Sequence, residues 1–189
     1  MPLSKEHKAE TRERILQKAG ALFRRDGIDG VSVPALMKEA GLTHGGFYAH
    51  FGSKDELVAA IIERALDNTS DYLATAARSS DAPAAAVVDA YVDVDHRDHP
   101  EWGCVVAAIG AEAARAAPVV RSAMARSVRR AAQHLGEARV LGDNAEDEAL
   151  TLYAGLIGAI VLSRACSADP ALSNRILDAC RRQLKQCVR

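Results

Sequence analysis

Residues 41–57 read GLTHGGFYAHFGSKDEL, and this stretch predicts the end of one helix, a short second helix and the start of a third. Gly41 is suited to the left-handed conformation that closes a helix, and Thr43 is placed to cap the next one. Ser53, with Glu56 three residues later, has the pattern of a capping box that opens the following helix. The stretch is therefore expected to form a tight turn and a short helix between two longer helices.

The short helix separates a core face from a contact face. Phe47 and Phe51 are four residues apart, so they share one side of a helix. We predict that both phenylalanines belong to the core. His44, Tyr48 and His50 are then left to point elsewhere.

Two further helices are predicted before residue 41. The first begins near Lys8 and ends at Gly27. It has one apolar face, and the rest of its surface is charged. Ser32 is placed to cap the second, with Pro34 in its first turn, where a missing N–H does no harm. The helices on either side of the Gly41 turn have the spacing of a helix-turn-helix, whose second member commonly lies in the DNA major groove. Spacing alone leaves open a helical corner packed for structural reasons.

The composition of the whole chain predicts an all-α protein with a substantial core. The chain has 189 residues, is 49% hydrophobic and contains six prolines, while alternating β-branched runs are scarce. The formal net charge is −1, but residues 1–55 hold nine Lys and Arg against seven Asp and Glu, and the remainder holds fifteen against eighteen. This modest asymmetry fits a DNA-facing N-terminal part without establishing one.

The four cysteines indicate neither a disulfide framework nor a zinc site. Cys104, Cys166, Cys180 and Cys187 form no C-x-x-C pair, and no secretory segment precedes them. We therefore expect a cytoplasmic protein with no metal and no cofactor. The longest apolar run, 152–162, is shorter than the roughly 20 residues that a bilayer span needs, so no membrane association is expected.

The N-terminal residues resemble the TetR family of bacterial transcriptional regulators. The resemblance covers roughly the first 60 residues, and beyond them the chain resembles the family in helix number and length. The matching residues are Arg14-Ile15-Leu16, Ala19, Leu22-Phe23, Gly27, Ala40-Gly41-Leu42-Thr43, Gly45-Gly46-Phe47-Tyr48, His50-Phe51 and Ser53-Lys54-Asp55-Glu56-Leu57.

The resemblance implies a homodimeric repressor of about nine helices per subunit that binds double-stranded operator DNA and is released by a small-molecule effector. An N-terminal three-helix DNA-binding domain, residues 1–53, would precede a ligand-binding and dimerisation domain, residues 54–189. The helix at about 54–78 would connect the two. We call residues 1–53 the head.

The expected DNA contacts combine the resemblance with the local chemistry of the head. Gly45 and Gly46 let the backbone approach the duplex, while Tyr48 and Lys54 are typical phosphate partners. Two alternatives to DNA contact stay open. His44 and Lys54 could be solvated surface residues, and Tyr48 could pack in the turn. Pro34 occupies a position from which many family members extend a polar side chain to DNA, and Gly20 and Met37 stand where the family most often has Ala. The candidate contacts are Ser32, Val33, Thr43, His44, Gly45, Gly46, Tyr48, His50 and Lys54.

The helix predicted near residues 145–166 is apolar around most of its circumference and must be buried on most sides. In the family the last two helices build the dimer as a four-helix bundle, with burial inside one subunit as the alternative. The candidate interface residues are Leu152, Gly155, Leu156, Ala159, Ile176 and Cys180.

An effector pocket is expected where large or reactive side chains face Ala-rich helices, because small side chains leave room for a cavity. Each candidate is equally compatible with ordinary core packing. The candidate pocket residues are Tyr91, Trp102, Cys104, Ile109, Met124 and Tyr153.

Cys104 is predicted in the first turn of a helix, where the dipole favours a thiolate. An electrophile or oxidant sensor is therefore one hypothesis, and a small buried hydrophobe is the other. His96 and His99 have metal-capable spacing but are better explained by a polar interhelical loop. With no nucleophile elbow, phosphate loop or paired carboxylates, an enzyme is not expected. A regulator without a small-molecule ligand stays open.

Overall fold

The computed structural model describes residues 5–137 and 145–187, without the side chains at positions 66, 67, 137 and 145. Those residues form nine α-helices and two short 3-10 helices and contain no strand, as predicted. The α-helices are α1 (Lys5–Asp26), α2 (Val33–Glu39), α3 (Lys54–Arg78), α4 (Pro83–Tyr91), α5 (Val94–Asp98), α6 (Val105–Ala113), α7 (Pro118–Glu137), α8 (Ala145–Ala165) and α9 (Pro170–Cys187). The 3-10 helices are His44–Ala49 and Pro100–Trp102.

The turn after α2 has the predicted geometry. Gly41 has φ +68°, and the N–H of Leu42 donates to the carbonyl of Met37 at 2.8 Å. The N–H of Gly41 also donates to the carbonyl of Lys38 at 3.0 Å, which completes a Schellman motif. Gly41 therefore stops α2 abruptly and turns the chain into the next element.

The capping box at the start of α3 also forms. The Ser53 hydroxyl accepts the N–H of Glu56 at 3.1 Å. The Glu56 carboxylate accepts the N–H of Gly52, at 2.8 Å, one residue before the cap. Both interactions satisfy N–H groups that have no partner within the helix.

The element between the turn and α3 differs from the prediction in two respects. It is a 3-10 helix that stops at Ala49, so Phe51, which was expected to share a helix face with Phe47, lies just beyond its end. The Thr43 side chain makes no capping hydrogen bond. Two successive glycines, Gly45 and Gly46, weaken an α-helix by about 1 kcal/mol each relative to alanine, and the short segment keeps the tighter pattern.

The head and the following helices share one hydrophobic core. Phe23, Phe47 and Phe51 are buried as predicted and pack with Leu36 and Met37 of α2. This core continues across residue 53 into the first turns of α3 and includes residues of α6 and α7. The predicted division at residue 53 thus falls at the start of α3, in the middle of a continuous core.

The end of α1 is tied to α6 by a carboxylate. Gly27 has φ +79° and ends α1 as predicted, and Glu112 accepts the N–H of Ile28 at 2.7 Å and that of Asp29 at 3.3 Å. A Cβ on Gly27 would lie 2.8 Å from the same carboxylate. The first turn after the head helix therefore depends on a side chain from the C-terminal half.

A short break separates α4 from α5. At the break, the Asp93 side chain accepts the N–H of Asp95 at 2.8 Å and caps α5. Arg181 of α9 donates to the carbonyl of Val92 at 2.9 Å. A separate 3-10 turn, Pro100–Trp102, precedes α6, which begins at Val105.

A second core joins α4, α7, α8 and α9, and α8 lies at its centre. By length and composition, the segment Glu146–Ala165 is the one span-like helix in the part of the chain that the structure describes. One side of it packs into the second core. Core helices commonly have that composition, so the absence of a membrane stays an expectation.

Candidate functional site

The 3-10 helix and its flanks present a polar surface on a buried aromatic base. His44, Gly45 and Tyr48 are exposed, and the Tyr48 side chain is 62% exposed. The Tyr48 ring makes edge contacts with the buried Phe47, at 5.3 Å between centroids, and with His44, at 6.0 Å. The predicted separation of a core face from a contact face is present in the structure.

His50 and Lys54 are less exposed than the other candidate contacts. Burial lowers the pKa of His50 below its ordinary value, and the positive charges of Lys8 and Arg12 lower it further. Its Nδ1 is buried and has no hydrogen-bond partner among the described residues. The Lys54 ammonium lies 5.9 Å from the centre of the Phe23 ring. Both side chains are half-buried at the edge of the surface.

The remaining candidate contacts divide into capping and exposed residues. Ser32 accepts the N–H of Ala35 at 3.3 Å, so its hydroxyl caps α2 as predicted. Val33 packs against the core and is half-buried. Thr43 is exposed, and Gly46 is half-buried.

A cavity of about 430 Å³ lies between the end of α1, the middle of α3, and the α4–α5 region with the 3-10 turn that follows it. Three predicted residues, Tyr91, Trp102 and Cys104, line this cavity. Trp102 stands at its edge, 77% exposed, with the His99 ring stacked on it at 4.8 Å. The complete lining is Arg24, Ala65, Asn68, Thr69, Tyr72, Ala90, Tyr91, Asp93, Asp95, His96, His99, Trp102, Gly103 and Cys104.

The other three predicted pocket residues lie elsewhere. Ile109 is buried in the core shared with the head, and Met124 packs against that same core. Both side chains face the core that the head shares with α6 and α7. Tyr153 lines a separate, much smaller space of about 40 Å³.

Cys104 connects the cavity to a buried pair of tyrosines. It occupies the N-cap position of α6, whereas the first helical turn was predicted, and its side chain is buried. Its sulfur lies 3.6 Å from the Tyr153 hydroxyl. Burial raises the pKa of Tyr91 and of Tyr153 well above the ordinary value, and the neighbouring Cys104 raises both further. Both tyrosines are therefore neutral at physiological pH.

His96 holds the Cys104 backbone in place. Its Nδ1 lies 2.7 Å from the carbonyl of Tyr91, and its Nε2 accepts the N–H of Cys104 at 3.0 Å. Nδ1 therefore carries the proton, since a carbonyl can only accept. A Cβ on Gly103 would lie 2.6 Å from this ring, so the residue before Cys104 must be small. The interpretation of His96 and His99 as part of a polar loop omitted this structural role.

Three of the six predicted dimer residues are buried inside the subunit. Leu152, Leu156 and Ala159 belong to the second core, and a Cβ on the half-buried Gly155 would lie 2.6 Å from the Leu184 side chain of α9. These four α8 positions therefore face the subunit's own helices, which an all-round apolar helix did not reveal. Ile176 and Cys180 on α9 are half-buried.

The opposite side of α8 is exposed and apolar. Val161 and Leu162 are exposed, and a Cβ on Gly158 would meet no other atom within 4 Å. Leu172 near the start of α9 is exposed as well. We call this surface the outer stripe of α8; it consists of Leu150, Ala154, Gly158, Val161 and Leu162 together with Leu172.

Comparisons with known proteins agree with this architecture. The family model "Bacterial regulatory proteins, tetR family" matches residues 15–61, which contain the helix-turn-helix. The transcriptional regulator TtgR of Pseudomonas putida is 37% identical over 78 residues, 41% of this chain and 37% of TtgR. YfiR of Bacillus subtilis is 35% identical over 65 residues, 34% of this chain and 32% of YfiR. The chain thus spans about a third of the length of the curated relatives it matches.

Solved structures of similar fold cover nearly the whole chain. A TetR regulator from Chloroflexus aurantiacus aligns with a TM-score of 0.78 at 22% identity, over 96% of this chain and 95% of that one. The reduced form of NemR from E. coli gives 0.76 at 23% identity, over 94% and 96%. SCO4454 of Streptomyces coelicolor gives 0.71 at 27% identity, over 95% and 96%.

Residues 15–61 carry a TetR-family N-terminal domain. The chain combines this domain with a C-terminal region whose fold is similar to that of the solved structures. Of the residues that line the cavity, one lies within residues 15–61. That residue is Arg24.

The sequence analysis missed several lining residues of this cavity because it sought large or reactive side chains facing Ala-rich helices. Tyr72 lies four residues after Asn68 and three after Thr69, so these α3 residues share one side of the helix, a signal that was available once that helix was known. Arg24 gave no such signal, because a charged residue on a largely charged helix is expected to lie on the solvated surface.

The buried neutral His96 predicts a pH dependence of stability. Burial lowers the pKa of His96, and the positive charge of Arg164 lowers it further. The unfolded chain therefore binds a proton at this site more readily, and the free energy of unfolding falls as the pH drops below about 6.5. We expect His96→Gln to reduce the slope of the free energy of unfolding against pH by at most about 1.4 kcal/mol per pH unit.

Urea unfolding followed by circular dichroism between about pH 5 and pH 7.5 measures this effect. The matched control is His44→Gln, because His44 is exposed in the head. Equal pH slopes for wild type and His96→Gln would contradict the prediction.

Proposed function

We propose that this chain is a homodimeric transcriptional repressor that binds operator DNA through its head and is released by a small molecule in the cavity beside Cys104. The observation that carries the proposal is the exposed surface of His44, Gly45 and Tyr48 on a buried aromatic base, within the segment that matches the TetR family. A cytoplasmic DNA-binding protein without catalytic activity is consistent with that segment.

The geometry of the head supports recognition through the 3-10 helix. Two glycines at its start permit close approach of the backbone to the duplex, and Tyr48 presents a hydroxyl suited to a phosphate or base edge. The weak overall charge of the chain disfavours binding by bulk phosphate neutralisation, since non-specific affinity depends on many such contacts. Sequence-specific binding by a few positioned residues is therefore the better-supported mode.

Replacing Tyr48 by alanine should weaken operator binding roughly tenfold or more, the usual effect of losing one positioned contact. The operator can be selected from a random duplex library with the native protein and tested by gel shift at fixed salt. Tyr72→Ala is the matched control, because Tyr72 is 60% exposed and lies outside the head. Unchanged affinity for Tyr48→Ala, or an equal loss in Tyr72→Ala, would refute the assigned interface.

The dimer is proposed to form through the outer stripe of α8. Its exposed apolar side chains form a continuous helical surface, and Gly158 leaves space for the close approach of a second helix. Leu172 extends this surface toward α9. Dimerisation through this stripe replaces the predicted contacts of Leu152, Gly155, Leu156 and Ala159, while Ile176 and Cys180 stay candidates at its edge.

Val161→Asp should convert the dimer to a monomer, because a two-fold interface buries two unpaired carboxylates at once. Size-exclusion chromatography with light scattering measures the mass in solution. Val119→Asp is a close control, since Val119 and Val161 are each 41% exposed and Val119 lies on α7. A dimeric Val161→Asp protein would exclude the stripe as the interface.

Thiol sensing by Cys104 is a second candidate function. The Cys104 side chain lines the cavity and lies beside two neutral tyrosines, so a reactive ligand in the cavity would meet its sulfur directly. NemR of E. coli was crystallised in a reduced form, although at 23% identity that likeness bears on the fold alone. Addition of the thiol to N-ethylmaleimide would form an S–C bond and move the thiol proton to the adjacent carbon.

Alkylation of Cys104 by N-ethylmaleimide should release the protein from its operator, whereas Cys104→Ser should retain DNA binding after treatment. Cys166→Ser is the control, because Cys166 is half-buried outside the cavity lining. Intact mass spectrometry verifies modification, and gel shift reads out release. Release of Cys104→Ser by the reagent to the same extent as wild type would exclude the sensor.

A further inference from the structure

The cavity contains a cationic side chain that comes from the DNA-binding head. Arg24 lies in the last turn of α1, yet it lines the cavity together with residues of α3, α4 and α5. It also borders an adjoining groove of about 480 Å³ between α1 and α3, which Lys18, Arg64 and Glu101 line as well. Arg64 is paired there with Glu13. Arg24 therefore stands at the boundary between the two spaces.

The guanidinium of Arg24 is incompletely satisfied. Its Nη1 donates to the carbonyl of Glu101 at 3.4 Å, which is a long contact, and its Nε is buried without a hydrogen-bond partner. No carboxylate among the described side chains lies within ion-pair distance of it. Burial lowers the pKa of Arg24, and Arg64 lowers it further, but an arginine keeps its charge. A partly buried cation without a counter-ion costs free energy unless a partner arrives.

The position of the Arg24 side chain is built into α1. A Cβ on Gly20, one turn earlier, would lie 3.1 Å from the Arg24 Nη1 and 3.6 Å from Ile61. Gly20 therefore gives the guanidinium room to lie back over the helix toward the cavity. This accounts for glycine at position 20, where the family most often has alanine. It also indicates that the fold provides a defined place for the Arg24 guanidinium, whereas a surface arginine would extend into solvent.

The two carboxylates of the cavity lie on the wall opposite α1. Asp93 accepts the N–H of Asp95 and lies 4.0 Å from Arg181, so its charge has partners. Asp95 is exposed. The wall formed by α1 and α3 therefore carries the unmet positive charge, and flat aromatic surfaces are supplied by Tyr72 and by Trp102, both exposed at the cavity.

From this arrangement we infer that the cavity binds a planar organic carboxylate, whose carboxylate pairs with Arg24 and whose ring system lies against Trp102 and Tyr72. The inference rests on the proposed effector-controlled function and names the chemical class of the effector. The two oxygens of a carboxylate can accept two parallel hydrogen bonds from a guanidinium. They would thereby pair with N–H groups of Arg24 that have no partner in the protein. Because Arg24 belongs to the head, the ligand contacts both the head helix and the α4–α5 wall.

Three bicyclic probes of equal shape test the charge preference: 2-naphthoate, neutral 2-naphthamide and cationic 2-naphthamidine. Isothermal titration with the full-length protein should show the carboxylate binding roughly ten- to a hundredfold more tightly than the amide, the value of a charge-assisted hydrogen bond. The amidine should bind weakest. Equal affinity for carboxylate and amide, or no binding of the carboxylate, would overturn the inference without any variant being made.

Variants at two adjacent arginines then locate the preference. Arg24→Gln should remove it and Arg24→Lys should retain part of it, while Arg25→Gln should leave it unchanged because Arg25 is exposed and paired with Asp26. A carboxylate preference that survives in Arg24→Gln would place the anion elsewhere and overturn the inference. Circular dichroism verifies that each variant is folded. If Arg24→Gln does not fold, the carboxylate preference is measured in Arg24→Lys instead, where it should be reduced.

Gel shift with the selected operator separates this inference from the proposed function. Operator binding without any carboxylate preference would defeat the inference alone. A carboxylate preference that depends on Arg24, in a protein that binds no operator, would defeat the proposed function alone.

Discussion

The structure depends on the burial of one continuous helix, α1, against both halves of the molecule. Near its start, Arg12 lies over the Phe51 ring at 4.6 Å, and Phe23 is buried with Phe47 in the core that fixes the 3-10 helix. At its end, Arg24 enters the cavity and Glu112 binds the turn that follows. Because a helix is stiff over such a length, the orientation of the recognition surface and the shape of the cavity are set by the same element.

The cavity wall opposite α1 is held by charged side chains from the last two helices. Arg164 of α8 donates to the carbonyl of Arg97 at 2.9 Å, and Arg181 of α9 donates to that of Val92. These arginines take up carbonyl groups that the short helices α4 and α5 leave unpaired at their ends. This wall is therefore anchored to the helices proposed to form the dimer, while the facing wall is formed by α3 and by Arg24 of the head.

Local signals in the sequence were sufficient for most helix ends in the head. Gly27, Gly41 and the Ser53 capping box act through neighbours within six residues, so they could be predicted from the order of residues alone. Which face of α8 is buried, and where the Arg24 side chain lies, depend on packing between distant segments. An all-round apolar helix and a lone arginine carry no information about those partners, so the sequence indicated neither the buried face of α8 nor the place of the Arg24 side chain.

A ligand can move the head only if its affinity differs between two arrangements of the walls it touches. A molecule that contacted α4 and α5 alone would bind equally well however α1 lay, and it would leave DNA affinity unchanged. A carboxylate paired with Arg24 makes binding depend on the distance between α1 and the opposite wall. By linkage, operator binding that fixes α1 must then change ligand affinity by the same factor. The unmet charge of Arg24 would thus make binding of the proposed effector sensitive to the position of the head.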